Sequence, residues 1–196
     1  LTPLIVLQAI FFAAVSAAFR SAMDALQGIN RRFRTMPMPR LTPLGARMTA
    51  SMYRCVIALV VSLVCGHIIG FRFHGGAWHT AGFVLLALFI GASLALMGDL
   101  IGAATRNPEA TAPLLLVPQV TLGLASVGLQ PVEYFPGWMQ PFERDQPLSQ
   151  FLNALRALAG DSSPAAPPVT WSVIGPALIW VAASIVVFTW MHARVA

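Results

Sequence analysis

An uncharged apolar run occupies residues 73–98 and reads FHGGAWHTAGFVLLALFIGASLALMG. It is longer than the roughly 20 residues that a helix needs to cross the hydrocarbon core of a bilayer. Further stretches without Asp, Glu, Lys or Arg lie on both sides of it, at residues 1–19, 55–71, 110–132 and 162–193. The sequence therefore predicts an all-α polytopic membrane protein with spans at about residues 1–23, 49–70, 80–103, 111–131 and 170–191.

The composition indicates the same class of protein. Apolar residues make up 57% of the chain and charged residues only 10%, which is unlike a soluble domain. The formal charge is +5, and all basic residues apart from histidine are arginines because the chain contains no lysine. In a membrane protein such a charge reflects arginine placed at the membrane faces, so we exclude nucleic acid as a partner.

The arginines of the short connections predict the orientation of the chain. The loop at residues 24–48 carries five arginines against the single acid Asp24, whereas residues 133–161 carry more acids than arginines. Since positively charged loops stay in the cytoplasm, we expect residues 24–48, the turn around residues 106–109 and the C-terminus on that side. The turn at residues 72–79 and the segment 133–161 are then expected on the outer side.

The basic loop at residues 24–48 allows two interpretations. Residues 24–33 can continue as a short helix that stops before Pro37 and Pro39, because a residue that precedes proline avoids the α conformation. The loop is either an anchor whose arginines reach lipid headgroups or a helix docked on a cytoplasmic partner.

The outer segment at residues 133–161 also differs from an ordinary connection. Over residues 148–159 its apolar side chains fall on one helical face, and a helix of this length is too short to cross a bilayer. An aromatic cluster typical of a membrane interface precedes it. The helix is expected to lie at the membrane interface or to re-enter the membrane. The segment serves either as an anchor or as a lid whose apolar face touches lipid or cargo. The residues assigned to this lid and substrate exit are Phe135, Trp138, Phe142, Leu148, Phe151, Leu155 and Arg156.

Three charged residues lie a short way inside the predicted spans, namely Arg20, Arg54 and Asp99. All three are expected at a similar depth near the cytoplasmic side. A charge inside a membrane is usually paired, so we expect Asp99 to pair with Arg20 or Arg54. The cluster serves either as a clamp between helices or as part of a transport path.

The residue patterns of common enzymes are missing from the sequence. A P-loop and a Schiff-base enzyme both need lysine, and the four histidines show neither HExxH spacing nor paired acidic ligands. We therefore expect no catalytic residue, no metal and no cofactor in this chain. A membrane enzyme that acts on lipid stays as the alternative, although it would need acids or histidines clustered at one membrane face. A passive channel would need polar rings along several spans, and the sequence shows none.

Several short motifs follow one another in a fixed order along the chain. They are GINRRF at residues 28–33, MP at 36–37, LTPL at 41–44, FPGWMQPF at 135–142, QPLS at 146–149 and ALRAL at 154–158. Taken together, they resemble the ABC-2 type permeases and, among these, the daunorubicin-resistance (Drr) type. The pattern is most similar to the DrrB-like lipid-exporter subunits of mycobacteria.

The resemblance implies the ABC-2 (type V) exporter fold, in which six spans follow an amphipathic interface helix. The spans seen here would then be the second to the sixth, and the loop at residues 24–48 would hold the helix that couples the permease to its ATPase. The residues assigned to coupling are Gln27, Gly28, Ile29, Asn30, Arg31, Arg32, Phe33, Arg34 and Pro37. Similar proteins often carry a glutamate in this loop, whereas this loop has no acid after Asp24.

The resemblance also implies a function and partners. Such a permease moves a lipid or a hydrophobic drug-like substrate out across the bacterial plasma membrane. It works with two ABC ATPase subunits, which bind ATP and Mg, and with a second permease subunit that is either identical or different. The chain starts at Leu1 without a charged n-region, so we expect it to lack its beginning, including the interface helix and the first span.

Overall fold

A computed structural model describes residues 2–29, 42–124, 137, 145–160 and 168–195 of the chain. These residues form helices and connections, with no strand among them. The helices are α1 Thr2–Leu26, α2 Thr42–Ile68, α3 Gly76–Thr105, α4 Pro108–Leu124, α5 Pro147–Ala159 and α6 Trp171–Val195. The prediction of an all-α fold is confirmed.

Among the described residues, four helices are long and apolar enough to cross a bilayer: α1, α2, α3 and the Trp171–His192 part of α6. In the hydrocarbon core the main-chain polar groups have no water to bind, so they are satisfied by hydrogen bonds within each helix. The chain is a multi-pass membrane protein. The helix α4 begins three residues before the predicted fourth span, and residues 125–131, which would complete that span, lie outside the described part.

The helices α1 and α3 form the centre of the bundle and pack closely along their length. Small residues make this possible, because a Cβ atom on Gly98 would lie only 2.7 Å from the carbonyl oxygen of Ala14. A Cβ atom on Gly102 would overlap the carbonyl oxygen of Ala18. Facing small residues are a common way for membrane helices to approach each other. Residue numbers rise together in these pairs, so α1 and α3 run in the same direction.

The helix α2 runs antiparallel to α1 and defines the two ends of the bundle. At one end Thr2 of α1 lies against Gly66 of α2. At the other end Asp24 of α1 forms an ion pair with Arg47 of α2. We call the first the turn end, because the connection between α2 and α3 lies there, and the second the charged end.

The connection between α3 and α4 is a tight turn at the charged end, as the sequence predicts. Arg106 has a positive φ of 53° and ends α3. The Asn107 side-chain oxygen then accepts hydrogen bonds from the amides of Glu109 at 3.0 Å and Ala110 at 3.4 Å. This caps the first turn of α4, whose amides have no partner inside the helix.

The helix predicted over residues 148–159 is present as α5, which lies at the turn end. Pro147 occupies its first turn, and Gly160 ends it with a φ of +65°. Gly160 approaches the backbone of Gly75 so closely that a Cβ atom there would lie 2.7 Å from the Gly75 nitrogen. The amide of His74 donates a hydrogen bond to the carbonyl of Ala159 at 3.4 Å. The end of α5 is thereby attached to the connection between α2 and α3.

The apolar face of α5 is buried inside the protein. Leu152 and Leu155 are fully buried, and the helix packs against α1, α3 and α6. The sequence led us to expect this face against lipid or cargo, and that expectation is wrong. The apolar face belongs to the main core, which also contains Val6, Leu7, Ile10, Phe83, Ala87, Ile90, Ala177 and Val181.

Two helix boundaries near the basic loop differ from the predictions. The helix predicted over residues 24–33 is interrupted, because α1 ends at Leu26 and Gly28 takes a positive φ of 69°. The helix α2 begins at Thr42, although the sequence predicted a loop up to residue 48. Pro43 does not prevent this, since the amides of a first helical turn have no partner to lose. Residues 30–41 lie outside the described part.

Candidate functional site at the charged end

Asp99 of α3 is the most deeply buried charged group at the charged end. Its side chain is only 4% exposed, and its Oδ2 atom lies 3.0 Å from His192 Nε2 and 3.6 Å from Arg47 Nη1. The adjacent Gly98 explains the burial, since close packing there brings α3 against α1. The Ser21 hydroxyl of α1 donates a hydrogen bond of 2.8 Å to the main-chain carbonyl of Asp99.

Arg47 joins Asp99 to a second acid. Its Nη2 atom lies 3.2 Å from Asp24 Oδ2, while its Nη1 atom points to Asp99. Asp24, Arg47, Asp99 and His192 therefore form one chain of contacts, which we call the charge network. Its members come from α1, α2, α3 and α6, so it connects all four long apolar helices.

His192 is held from both sides of its ring. Its Nδ1 atom lies 2.8 Å from the carbonyl oxygen of Phe188, and its Nε2 atom faces Asp99. Both partners are hydrogen-bond acceptors when Asp99 is ionised. The imidazolium form, which donates from both nitrogens, therefore satisfies both contacts. In that form the charge network contains two positive and two negative groups.

The predicted partners of Asp99 are wrong. Arg20 donates a hydrogen bond to the Ser16 hydroxyl at 2.7 Å, and Arg54 donates to the carbonyl of Ala50 at 3.4 Å. Asp99 pairs instead with Arg47 and His192. The physical reason is that Arg47 lies in α2 and not in a loop, so its side chain turns back onto the bundle. Arg20 does share this end, because it lies about one helical turn before Asp24 in α1.

Those residues predicted for coupling and for the lid that the structure describes lie at opposite ends of the bundle. Gln27, Gly28 and Ile29 directly follow the charged end of α1. Among the lid residues Leu148, Phe151 and Leu155 are buried in the core, and Arg156 is partly buried on α5. The other predicted residues lie outside the described part: Asn30, Arg31, Arg32, Phe33, Arg34, Pro37, Phe135, Trp138 and Phe142.

Sequence reasoning missed Arg47 and His192. The spacing of Arg47 and Arg54 could have revealed Arg47. The two residues are seven positions apart, so they lie on the same face of α2 if the helix is extended to include Arg47. His192 is a polar residue at the predicted cytoplasmic end of the last span. At that depth it can pair with an acid inside the membrane, such as Asp99. Within the described residues, no group of three His, Cys, Asp or Glu side chains could hold a metal ion.

Comparison with known proteins identifies the family. The model of the family described as "ABC-2 family transporter protein" matches residues 1–194. The chain belongs to the ABC-2 transporter family. It is 53% identical over 95% of its length to the doxorubicin resistance ABC transporter permease protein DrrB of Mycobacterium tuberculosis strain H37Rv. No solved structure matches the chain.

More distant relatives belong to the same group of ABC transporter permeases. The probable doxorubicin resistance permease DrrC of Mycobacterium tuberculosis is 28% identical over 95% of this chain. The daunorubicin resistance permease DrrB1 of Streptomyces coeruleorubidus is 28% identical over 80% of it. The matched regions cover 65% of DrrB and DrrC and 55% of DrrB1. This ABC-2 permease chain thus spans just under two thirds of the length of the first curated relatives that it matches.

Proposed function

We propose that the protein is the permease subunit of an ATP-driven exporter that moves a lipid or a hydrophobic drug-like molecule out of a bacterial cell. Family membership over residues 1–194 supports a transport role. The relatives named for resistance to doxorubicin and daunorubicin support a hydrophobic cargo. The chain itself supplies the membrane pathway, while ATP and Mg are bound by separate subunits.

The charged end faces the cytoplasm in this proposal. Five arginines and one acid occupy residues 24–48, and positively charged loops stay on the cytoplasmic side. The structure adds that Arg194 at the end of α6 belongs to the same end, since His192 two residues earlier contacts Asp99. The turn end and α5 then face outward. In this proposal α4 forms the first part of the predicted fourth span.

The charge network supports a mechanism for coupling, and it is the observation on which the mechanism depends. Asp24 lies three residues before the predicted coupling residues and Arg47 lies in α2, ten residues after them, so their 3.2 Å contact joins the two helices that flank the loop. Arg47 also contacts Asp99, which contacts His192. A movement of residues 27–37 on an ATPase surface would therefore act on α1, α2, α3 and α6 together.

Export then follows as a shift between two states of the permease. ATP binding closes the ATPase pair, the coupling residues move, and the state with lower affinity for the cargo is favoured. A single subunit of this size does not enclose a path for a large lipid. The proposal therefore includes a second permease subunit and two ATPase subunits.

Reconstitution tests this function. The full-length protein and its co-purified subunits are placed in vesicles, and ATP-dependent movement of doxorubicin and of extracted membrane lipids is measured. We expect movement only with ATP and with the ATPase subunits present. Passage without ATP would indicate a channel instead, and chemical conversion of the lipid would indicate a membrane enzyme.

A further inference from the structure

In the part of the chain that the structure describes, two arginines at the charged end form no ion pair with an acid. Within the described residues, Arg20 contacts the Ser16 hydroxyl and Arg54 contacts a carbonyl of its own helix, and neither forms an ion pair. The two nearby acids are already engaged, because Asp24 pairs with Arg47 and Asp99 pairs with Arg47 and His192. The adjacent loop, residues 30–41, adds four arginines and no acid.

The helix geometry brings these two arginines to one place. Arg20 lies one turn, or about 6 Å, further into the membrane than Asp24 on the same face of α1. Arg54 lies two turns, or about 10 Å, further in than Arg47 on the same face of α2. Because Asp24 and Arg47 are in contact and α1 and α2 are antiparallel, Arg20 and Arg54 face each other. The positive charges of Arg20 and Arg54 are close enough to repel each other.

Two positive charges that lie close together inside the membrane raise the free energy of the folded protein unless an anion lies between them. Guanidinium groups bind phosphate oxygens in a fork geometry, which makes a phosphate the best fit. The residue before each arginine carries an exposed aromatic ring, with Phe19 43% exposed and Tyr53 68% exposed. Such a rim suits a molecule that carries acyl chains beside its phosphate.

We propose that Arg20 and Arg54 form a binding site for the phosphate of an anionic phospholipid. The two nearby acids, Asp24 and Asp99, are paired within the charge network, so they are not available to form ion pairs with these arginines. Anion binding follows from the two arginines in either orientation of the chain. The cytoplasmic leaflet follows from the orientation proposed above, and the site is independent of which cargo is exported.

Native mass spectrometry and thermal unfolding test this site. The full-length protein, purified with its associated subunits, is placed in nanodiscs of phosphatidylglycerol or of phosphatidylcholine. We expect phosphatidylglycerol to stay bound after detergent extraction and to raise Tm. The double variant Arg20→Gln/Arg54→Gln should retain less phosphatidylglycerol and lose most of that rise in Tm. Arg106→Gln, which removes one charge from an exposed turn at the same end, should keep both properties.

A photo-crosslinking phosphatidylglycerol gives a second measurement that needs no variant. It should label the peptides around residues 16–20 and 51–57 of the wild-type protein. Equal lipid retention and an equal Tm rise in the double variant, or labelling confined to other peptides, would overturn the proposal. A Tm rise produced by soluble glycerol phosphate in phosphatidylcholine discs, and abolished in the double variant, would keep the phosphate site and reject the lipid.

Discussion

Asp99 shows how one residue can fix the arrangement of several helices. Its carboxylate is buried at the contact between α1 and α3, and its ionised form needs a compensating charge. His192 comes from the far end of the chain, and Arg47 comes from the beginning of α2. Each partner therefore has to be brought in by packing. The energy of these contacts becomes available only when all four long helices are in place.

Replacing Asp99 should destabilise the protein strongly. The substitution Asp99→Asn leaves Arg47 and His192 without their shared carboxylate, and breaking a buried ion pair in this way costs about 3 kcal/mol or more. We expect a clear fall in Tm of the purified protein in detergent. Asp145→Asn makes the same change on an exposed residue of the opposite end and should leave Tm unchanged. An unaltered Tm for Asp99→Asn would show that the network contributes little to stability.

A double-mutant cycle separates the true partners of Asp99 from the predicted ones. In the Asp99→Asn background, Arg47→Gln removes a cation that has lost one of its two acids and should cost less than it does in the wild type. The difference should be about 1 kcal/mol or more, as for residues in direct contact. Arg54→Gln should cost the same in both backgrounds. The reverse pattern would restore the pairing of Asp99 with Arg54.

At the scale of the helix, α1 and α3 depend on small residues for their close contact. Gly98 and Gly102 on α3 face the main chain of α1 at Ala14 and Ala18. Main-chain atoms cannot move aside as a flexible side chain can, so any added atom has to separate the helices. Separation would also open the site that buries Asp99. Packing at these glycines and the charge network therefore depend on each other.

A single methyl group at Gly98 should be sufficient to disturb this contact. We expect Gly98→Ala to lower the free energy of unfolding by about 1–3 kcal/mol, the usual range for overpacking. The control is Gly45→Ala, because Gly45 also lies in a helix and an added Cβ atom meets nothing within 4 Å. Thermal unfolding of both variants gives the comparison. Equal stability of the two would mean that α1 and α3 can separate at no cost.

The helix α5 should behave as part of the core and not as a loose cover. Phe151→Asp places a charge on the buried face, so it should lower Tm as well as transport. Asn153→Asp changes a half-buried polar residue of the same helix and should alter neither strongly. Tm and ATP-dependent export are measured on both variants. A stable Phe151→Asp protein that fails only in export would return α5 to the role of a lid.

Cysteine labelling tests the same helix without introducing a charge. In a background without Cys55 and Cys65, cysteines at positions 148, 152 and 155 should resist a membrane-impermeant thiol reagent. Cysteines at positions 150 and 153 should react with it, because these residues are half-buried and not fully buried. Uniform reaction along α5 would mean that the helix leaves the core for much of the time.

For the whole molecule, the start of the proposed coupling segment, residues 27–29, and the core contacts of α5 lie at opposite ends. The predicted coupling residues leave α1 at the charged end, whereas α5 is attached to the connection between α2 and α3 at the turn end. Signals between the two ends can pass along α1, α3 and α6, because each of these helices contributes to the charge network and packs against α5. A change at the coupling loop should therefore affect transport without disturbing α5.

The triple variant Arg31→Glu/Arg32→Glu/Arg34→Glu examines this separation. If the loop docks on an ATPase subunit, reversing its charge should abolish ATP hydrolysis stimulated by cargo, while the protein stays in the membrane with an unchanged Tm. Arg106→Glu, at the same end but outside the loop, should keep the stimulation. If the triple variant assembles and its ATP hydrolysis is still stimulated by cargo, the loop serves only to set the orientation of the chain in the membrane.

The sequence by itself determined the class of protein, the long apolar helices and the amphipathic helix α5. These features depend on local composition and on a period of 3.6 residues, both of which are visible along one chain. The same local information placed Arg47 in a loop, because a stretch with prolines and arginines lacks the apolar pattern of a span.

The tertiary structure decided which residues meet. Asp99 pairs with His192 across 93 positions of the chain, and no periodicity links two residues so far apart. The apolar face of α5 fits lipid and protein equally well by composition. Its burial follows from the approach of Gly160 to Gly75 and from the space between α1, α3 and α6. The composition of a helix determines which of its faces are apolar enough to be buried. The contacts between helices determine which of those faces are buried inside the protein.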